Sequence, residues 1–247
     1  MRRALITGAG AGDGIGMACA RVLGQAGLAL AITATTDRIF ARAAELTAEG
    51  YRVTAHQADL TEGADVDRLL AEVGPVDVLV NNAGMGSLAA PAQSVPFLQM
   101  TPALWQRAMD VSLTTAVLVT RAFLPAMVGA GWGRVVMMAS VTGPHVSNPG
   151  EAGYSAAKAA MVGLTHALAL EVGAFGVTVN AVAPGWIATG ATTADEARAA
   201  RATPPGRAGT PAEVAAVVGF LASAAASYVN GAVIVVDGGN ILQERKA

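Results

Sequence analysis

Five glycines fall within ten residues near the start of the chain, in Thr7-Gly8-Ala9-Gly10-Ala11-Gly12-Asp13-Gly14-Ile15-Gly16. The flanking residues give this run its meaning. Residues 4–7 read as a short buried strand. Ile15, Cys19, Val22, Leu23 and Ala26 mark one helical stripe that Gly27 stops. A glycine-rich turn from strand to helix lets the backbone approach a pyrophosphate, and the helix start offers N–H donors and the positive end of a dipole. Such a turn constrains the chain to begin as a strand–helix unit of an α/β sheet, with Gly8, Gly10, Asp13, Gly14, Ile15 and Gly16 as cofactor-binding candidates.

The rest of the chain repeats the pattern. Apolar strand-type runs at 28–33, 53–57, 76–80, 134–139, 177–182 and 232–236 alternate with helical patterns near 38–49, 66–72, 102–128, 154–175 and 211–223. Buried strands each followed by a helix predict an α/β fold: a doubly wound parallel sheet of about seven strands with helices on both faces, as a single domain over 1–247. Two long loops, near 85–101 and 186–210, follow strand ends, where such sheets bind ligands.

Composition narrows the partners. Hydrophobic residues make up 53% of the chain and charged residues 14%, which suits a large core and leaves apolar surface for subunit contacts. Net charge is −2 and the cations are scattered, so neither nucleic acid nor an anionic membrane is expected as a partner. Cys19 is the only cysteine; it allows no intrachain disulfide and reads as a small buried side chain. No apolar run is expected to span a bilayer, the N-terminus does not read as a signal peptide, and the default location is the cytoplasm. No metal ligand set is expected.

Three further groups carry chemistry. Tyr154 and Lys158 are four residues apart, on one face of a helix. Free tyrosine has a pKa of about 10, and a neighbouring ammonium favours the phenolate. Asp59-Leu60 follows the third strand; its carboxylate suits either an adenine amino group or the cap of the next helix. Asn81-Asn82-Ala83-Gly84 follows the fourth, where Asn side chains tie strand ends and Ala83-Gly84 lets a ligand pass close, or where they form an ordinary turn.

Taken in order, Thr7-Gly8, Asp59-Leu60, Asn81–Gly84, Ser140, Tyr154-x-x-x-Lys158 and Asn180-Ala-Val-Ala-Pro184-Gly185 followed by Thr189 resemble the classical short-chain dehydrogenase/reductase family, nearly from end to end. The closing stretch from Ser227 to Gly239 resembles it too. The resemblance implies a Rossmann-type fold and a nicotinamide cofactor. It implies that Ser140 hydrogen-bonds the substrate oxygen, that Tyr154 transfers its proton, and that Lys158 lowers the Tyr154 pKa and holds the ribose. Asn82, Ala83, Gly84, Pro184, Gly185, Ile187 and Thr189 would line the cofactor. It implies ketone–alcohol interconversion, and a homotetramer built partly from the long helices.

The chain also departs from that pattern. The glycine loop is two residues longer, Asp13 stands where NADP-dependent members often carry a cation, and Ser112 replaces the family's Asn before Leu113. In the family that Asn kinks its helix and anchors a proton relay, and serine is also able to bend a helix or hold a water. The 84–105 and 140–154 segments are longer than usual. At the end of the second strand Ala34 replaces the acid that binds a ribose in NAD-dependent members, and Thr35, Thr36 and Arg38 follow. NADP(H) is therefore favoured, with NAD(H) the alternative through Asp13 or Asp37. The 32–36 stretch resembles 3-oxoacyl-carrier-protein reductases, and Met85, Leu88, Val146 and Trp186 suggest a hydrophobic small-molecule ketone. The competing reading is a nucleotide-binding regulator without catalysis. It is disfavoured because Ser140, Tyr154 and Lys158 are all present.

Overall fold

The computed structural model describes residues 1–84, 86–87, 90–91 and 94–244. Met85 and Leu88, expected in the substrate pocket, lie outside the described residues. Seven strands form one parallel sheet: β1 (Arg3–Ile6), β2 (Ala29–Ala34), β3 (Val53–Gln57), β4 (Val78–Asn81), β7 (Gly133–Met138), β8 (Val177–Pro184) and β9 (Val233–Val236). Their order is β3-β2-β1-β4-β7-β8-β9. A separate two-stranded pair, β5 (Gly86–Ser87) and β6 (Ala90–Pro91), follows β4.

The apolar runs become strands because helices cover both faces of the sheet. On one face α1 (Ile15–Gln25), α2 (Arg38–Ala48) and α8 (Pro211–Leu221) bury Met17, Leu23, Ile39, Leu46, Val214 and Leu221. On the other, α3 (Gly63–Val73), α5 (Thr115–Ala130) and α6 (Ala152–Val172) bury Leu69, Val119, Phe123, Met127 and Met161. Cys19 is fully buried in the first layer, and burial pushes its thiol up to about 12. The chain order reverses between β1 and β4, where Ala4, Leu5 and Ile6 pair with Val78, Leu79 and Val80. The crevice beyond the carboxyl ends of these strands is the switch point at which such sheets bind ligands.

Three sequence expectations need correction. The 186–210 loop contains a helix, α7 (Ala194–Arg201), started by a capping box in which Thr193 and Glu196 satisfy each other's backbone N–H groups. The long helix near 102–128 is α4 (Pro102–Met109) and α5 joined by five residues wound as a π-helix, Asp110–Thr114. That joined run, Pro102–Ala130, is 29 residues long with a mean hydropathy of 1.6 over its most apolar window, enough by length and composition to cross a membrane. In this fold one face of the run packs on the sheet, where Val119, Phe123 and Met127 are buried.

Candidate active site

The glycine loop is fixed by a knot between β1 and β4. The Thr7 hydroxyl accepts from the Asn82 and Ala83 amides at 3.0 Å each, and the Asn82 side chain donates to the Thr7 and Gly8 carbonyls at 2.9 and 3.0 Å. The expected strand-tying role of the asparagines is thus present. Asn81 on the other side ties β4 to helix α5, donating to Thr120 Oγ1 at 2.8 Å, and reaches Met137 Sδ on β7 at 3.3 Å. Closeness, not only flexibility, demands glycine here. A Cβ on Gly8, which has φ +68°, would lie 2.8 Å from Ala83 Cα, and one on Gly16 would lie 2.7 Å from the Gly8 carbonyl. Gly10 abuts the end of β2, with Ala34 Cβ 3.0 Å from its would-be Cβ.

This cradle fits a dinucleotide pyrophosphate. Helix α1 starts at Gly14 with no side-chain cap and no acidic residue in its first turn, so its leading N–H groups face the crevice without a competing carboxylate. Asp59 does not cap the next helix, whose N-cap is Glu62 with no side-chain cap; its Oδ1 closes a local turn, accepting from the Thr61 amide at 3.0 Å and the Thr61 hydroxyl at 2.7 Å, and Leu60 beside it is buried. Thr35 and Arg38 are exposed at the β2 end, and Arg38 reaches Thr36 Oγ1 only at 3.4 Å. Asp13 turns elsewhere, with Oδ2 2.7 Å from the position a Cβ on Gly190 would take.

The chemical groups converge where β7 meets α6. Beyond β7 the chain stays beside β8, with the Val141 amide donating to the Pro184 carbonyl at 3.0 Å. This sets Ser140, which is buried and whose Oγ accepts from the Thr142 amide at 3.0 Å, close enough to Tyr154 to act on its phenol. Gly143 (φ +105°) lets the following loop pack on α6, where a Cβ would collide with the Ser155 carbonyl. Lys158, 2% exposed, donates from Nζ to the Met138 carbonyl at 2.7 Å and lies 5.6 Å from the centre of the Tyr154 ring. That carbonyl partner has no side-chain signature in the sequence.

Electrostatics differ from the expectation. Burial pushes the Tyr154 phenol up to about 12; Ser140 opposes the shift, while the Glu151 and Glu196 carboxylates add to it. Burial also lowers Lys158 from its ordinary 10.5 to about 8. In this structure desolvation, rather than the Lys158 charge, sets the tyrosine's pKa. The phenol is therefore protonated at neutral pH, beside an ammonium whose charge is itself conditional.

Ser112 sits in the π-helical turn, buried, and donates to the Gly84 carbonyl at 3.0 Å. A Cβ on Gly84 would lie 3.1 Å from Lys158 Nζ, so Gly84, Ser112 and Lys158 meet at one point. On the far wall, Pro184-Gly185 leads into a loop held by Gly209, whose carbonyl accepts from the Ala188 amide at 2.8 Å and whose amide donates to the Trp186 carbonyl at 2.9 Å. Ile187 bridges Gly209, and the Thr189 hydroxyl faces the Ala191 amide at 3.4 Å. Trp186 and Val146 are half-buried.

Comparison with known proteins agrees with this architecture. The family described as Enoyl-(Acyl carrier protein) reductase matches residues 8–240. Oxidoreductase UcpA of Salmonella typhimurium is 38% identical, with 98% of this chain and 95% of that protein aligned. The chain belongs to the short-chain dehydrogenase/reductase family. It is an NAD(P)-dependent oxidoreductase. Among other family members, galactitol 2-dehydrogenase of Rhizobium johnstonii is 38% identical over 96% of this chain and 94% of its own. A 3-oxoacyl-[acyl-carrier protein] reductase from Brucella melitensis, solved with bound NAD, superposes with a TM-score of 0.85 at 34% identity, covering 96% of this chain and 90% of that one.

Proposed function

We propose that this oxidoreductase interconverts a hydrophobic ketone and its secondary alcohol, with Tyr154 as the general acid/base. The observation that carries the reading is the convergence of Ser140, Tyr154 and Lys158 on one point beside the crevice. A buried phenol that holds its proton to about pH 12 is prepared to donate to an alkoxide, so the arrangement favours reduction near neutrality. Ser140 orients the substrate oxygen, and the Lys158 ammonium offsets negative charge as it develops there. The nicotinamide supplies the hydride when bound. Gly8–Gly16 and the Asn82–Gly84 turn would hold the dinucleotide, and Pro184, Gly185, Ile187 and Thr189 its nicotinamide end.

The preferred cofactor in this reading is NADP(H). Ala34 offers no carboxylate to a ribose, and the hydroxyls of Thr35 and Thr36 stand beside it. For the substrate, half-buried Trp186 and Val146 favour an acyl, aromatic or alicyclic group. Glu151 and Glu196, both close enough to act on Tyr154, favour a neutral ketone over an anionic one. The same reasoning supports a free ketone as much as a 3-oxoacyl thioester on a carrier protein. Assembly as a homotetramer is part of the proposal. An apolar cleft between α5 and α6, lined by Val117, Leu124, Pro125, Leu164 and Leu168, suits a self-complementary helix contact.

A panel of ketones, 3-oxoacyl thioesters and enoyl thioesters, each assayed with NADPH and with NADH, tests the reading. Turnover of ketones that disappears in Tyr154→Phe supports it. Turnover confined to the enoyl thioesters refutes it.

A further inference from the structure

Helix α2 brings a second cation to the glycine loop, one turn beyond Arg38 and on the same helix face. A Cβ on Gly12 would collide with Arg42 Nη1 and stand 3.4 Å from Arg42 Cζ. The Arg42 guanidinium therefore covers the middle of the loop whose neighbouring Gly10 abuts Ala34 at the end of β2. Its surroundings are only partly satisfied. Nη2 pairs with Glu45 at 2.6 Å, but Nε is buried with no hydrogen-bond partner among the described residues. The neighbouring cation, Arg21, makes three bonds to Glu49 at 2.8–3.0 Å and only a long 3.5 Å contact to the Gly12 carbonyl. Arg38 is exposed and loosely held.

We propose that Arg42, rather than Arg38, is the cation that recognises the adenosine 2′-phosphate of NADP(H), acting with the Thr35 and Thr36 hydroxyls. This assignment rests on the NADP(H) reading above. The guanidinium is held at the loop by Glu45 and packing, so little side-chain freedom is lost when a phosphate arrives. Its planar fork suits a phosphate better than a lysine would. Gly12 is part of the device, because any side chain there displaces the flexible end of Arg42 while leaving the backbone unstrained. Glu45 partly neutralises the cation and competes with the phosphate for it.

The test is equilibrium binding to the purified protein without substrate, titrating NADPH, NADH and adenosine 2′,5′-bisphosphate by fluorescence and calorimetry. Wild type should bind NADPH at least about tenfold tighter than NADH. Arg42→Ala should weaken NADPH and the bisphosphate by about ten- to a hundredfold, while NADH changes little. Arg38→Ala should leave the NADPH/NADH ratio nearly intact. Gly12→Ala, which moves the guanidinium without removing it, should lower the same ratio, and Glu45→Gln should raise it. Equal weakening of NADPH and NADH in Arg42→Ala would make Arg42 a support for the loop and overturn the assignment. A ratio that collapses only in Arg38→Ala would overturn it and leave the NADP(H) reading standing. Absence of any NADPH preference in wild type would overturn both. If Arg42→Ala does not fold, Arg42→Gln and Gly12→Ala carry the same comparison.

Discussion

If the proposed reaction holds, Lys158 should impose an upper pH limit on ketone reduction. Its ammonium lies 5.6 Å from the Tyr154 ring centre and loses its proton near pH 8 because burial disfavours the charge. At that distance a unit charge acting on an anion through an effective dielectric of about 20 contributes ~3 kcal/mol, or roughly a hundredfold in rate. The phenol keeps its proton across this range, since its own pKa is about 12. Reduction should therefore be level below about pH 7, fall with a midpoint near pH 8, and approach a plateau about a hundredfold lower. The assay is kcat/KM for the ketone from pH 6 to 10 with saturating reduced cofactor. Lys158→Met should sit near the lower plateau at every pH. A fall near pH 8 that persists in Lys158→Met would assign the titration to another group. A profile level through pH 9 would refute the electrostatic argument outright.

Other outcomes follow from the same geometry. Tyr154→Phe should lose about 10²–10⁴-fold in kcat while its cofactor Kd changes little; retention of half the wild-type kcat would exclude Tyr154 as the acid. Ala34→Asp should reverse the cofactor preference by placing a carboxylate against the phosphate and beside a ribose hydroxyl, read as kcat/KM with each cofactor. Light scattering at micromolar concentration should report near four times 24.7 kDa, and a monomer mass would remove the tetramer proposal. Because the folded pKa of Lys158 lies below its unfolded value, its burial costs stability below pH 8, and the cost fades as pH rises from 8 to 10.5. Wild type should gain about 3 kcal/mol relative to Lys158→Met across that window, measured by urea unfolding at pH 7 and pH 10.

The sheet was legible because its strands are short apolar runs punctuated by glycine and asparagine, and burial on both faces leaves no competing pattern. The contacts at Thr7 and Asn82 were legible as types but not as geometry. Only the pairing of β1 with β4 shows that one hydroxyl takes two amides. Helix α7 was obscured by its Ala-, Thr- and Pro-rich surroundings, although Thr193 and Glu196 have the spacing of a capping box. Expecting Lys158 to lower the Tyr154 pKa followed from charge alone. Burial of both groups reverses that result, and burial is a property of the packed helix. Arg42 escaped notice because a cation in the middle of an amphipathic helix ordinarily faces water. Its reach to Gly12 depends on how α2 packs beside the loop.

The Thr7–Asn82 knot joins residues 75 positions apart. The crevice it closes lies where β3-β2-β1 meets β4-β7-β8-β9, so neither group of strands contains the site alone. A chain that has formed only its first three strands presents the glycine loop but not the Asn82–Gly84 wall against which that loop is held. Dinucleotide affinity should consequently appear late, after the costly closure of the long segment between β1 and β4 has been completed. The nucleotide then stabilises only molecules that have passed that step. Its binding thus discriminates between finished and half-assembled copies, a form of quality control written into the order of the strands.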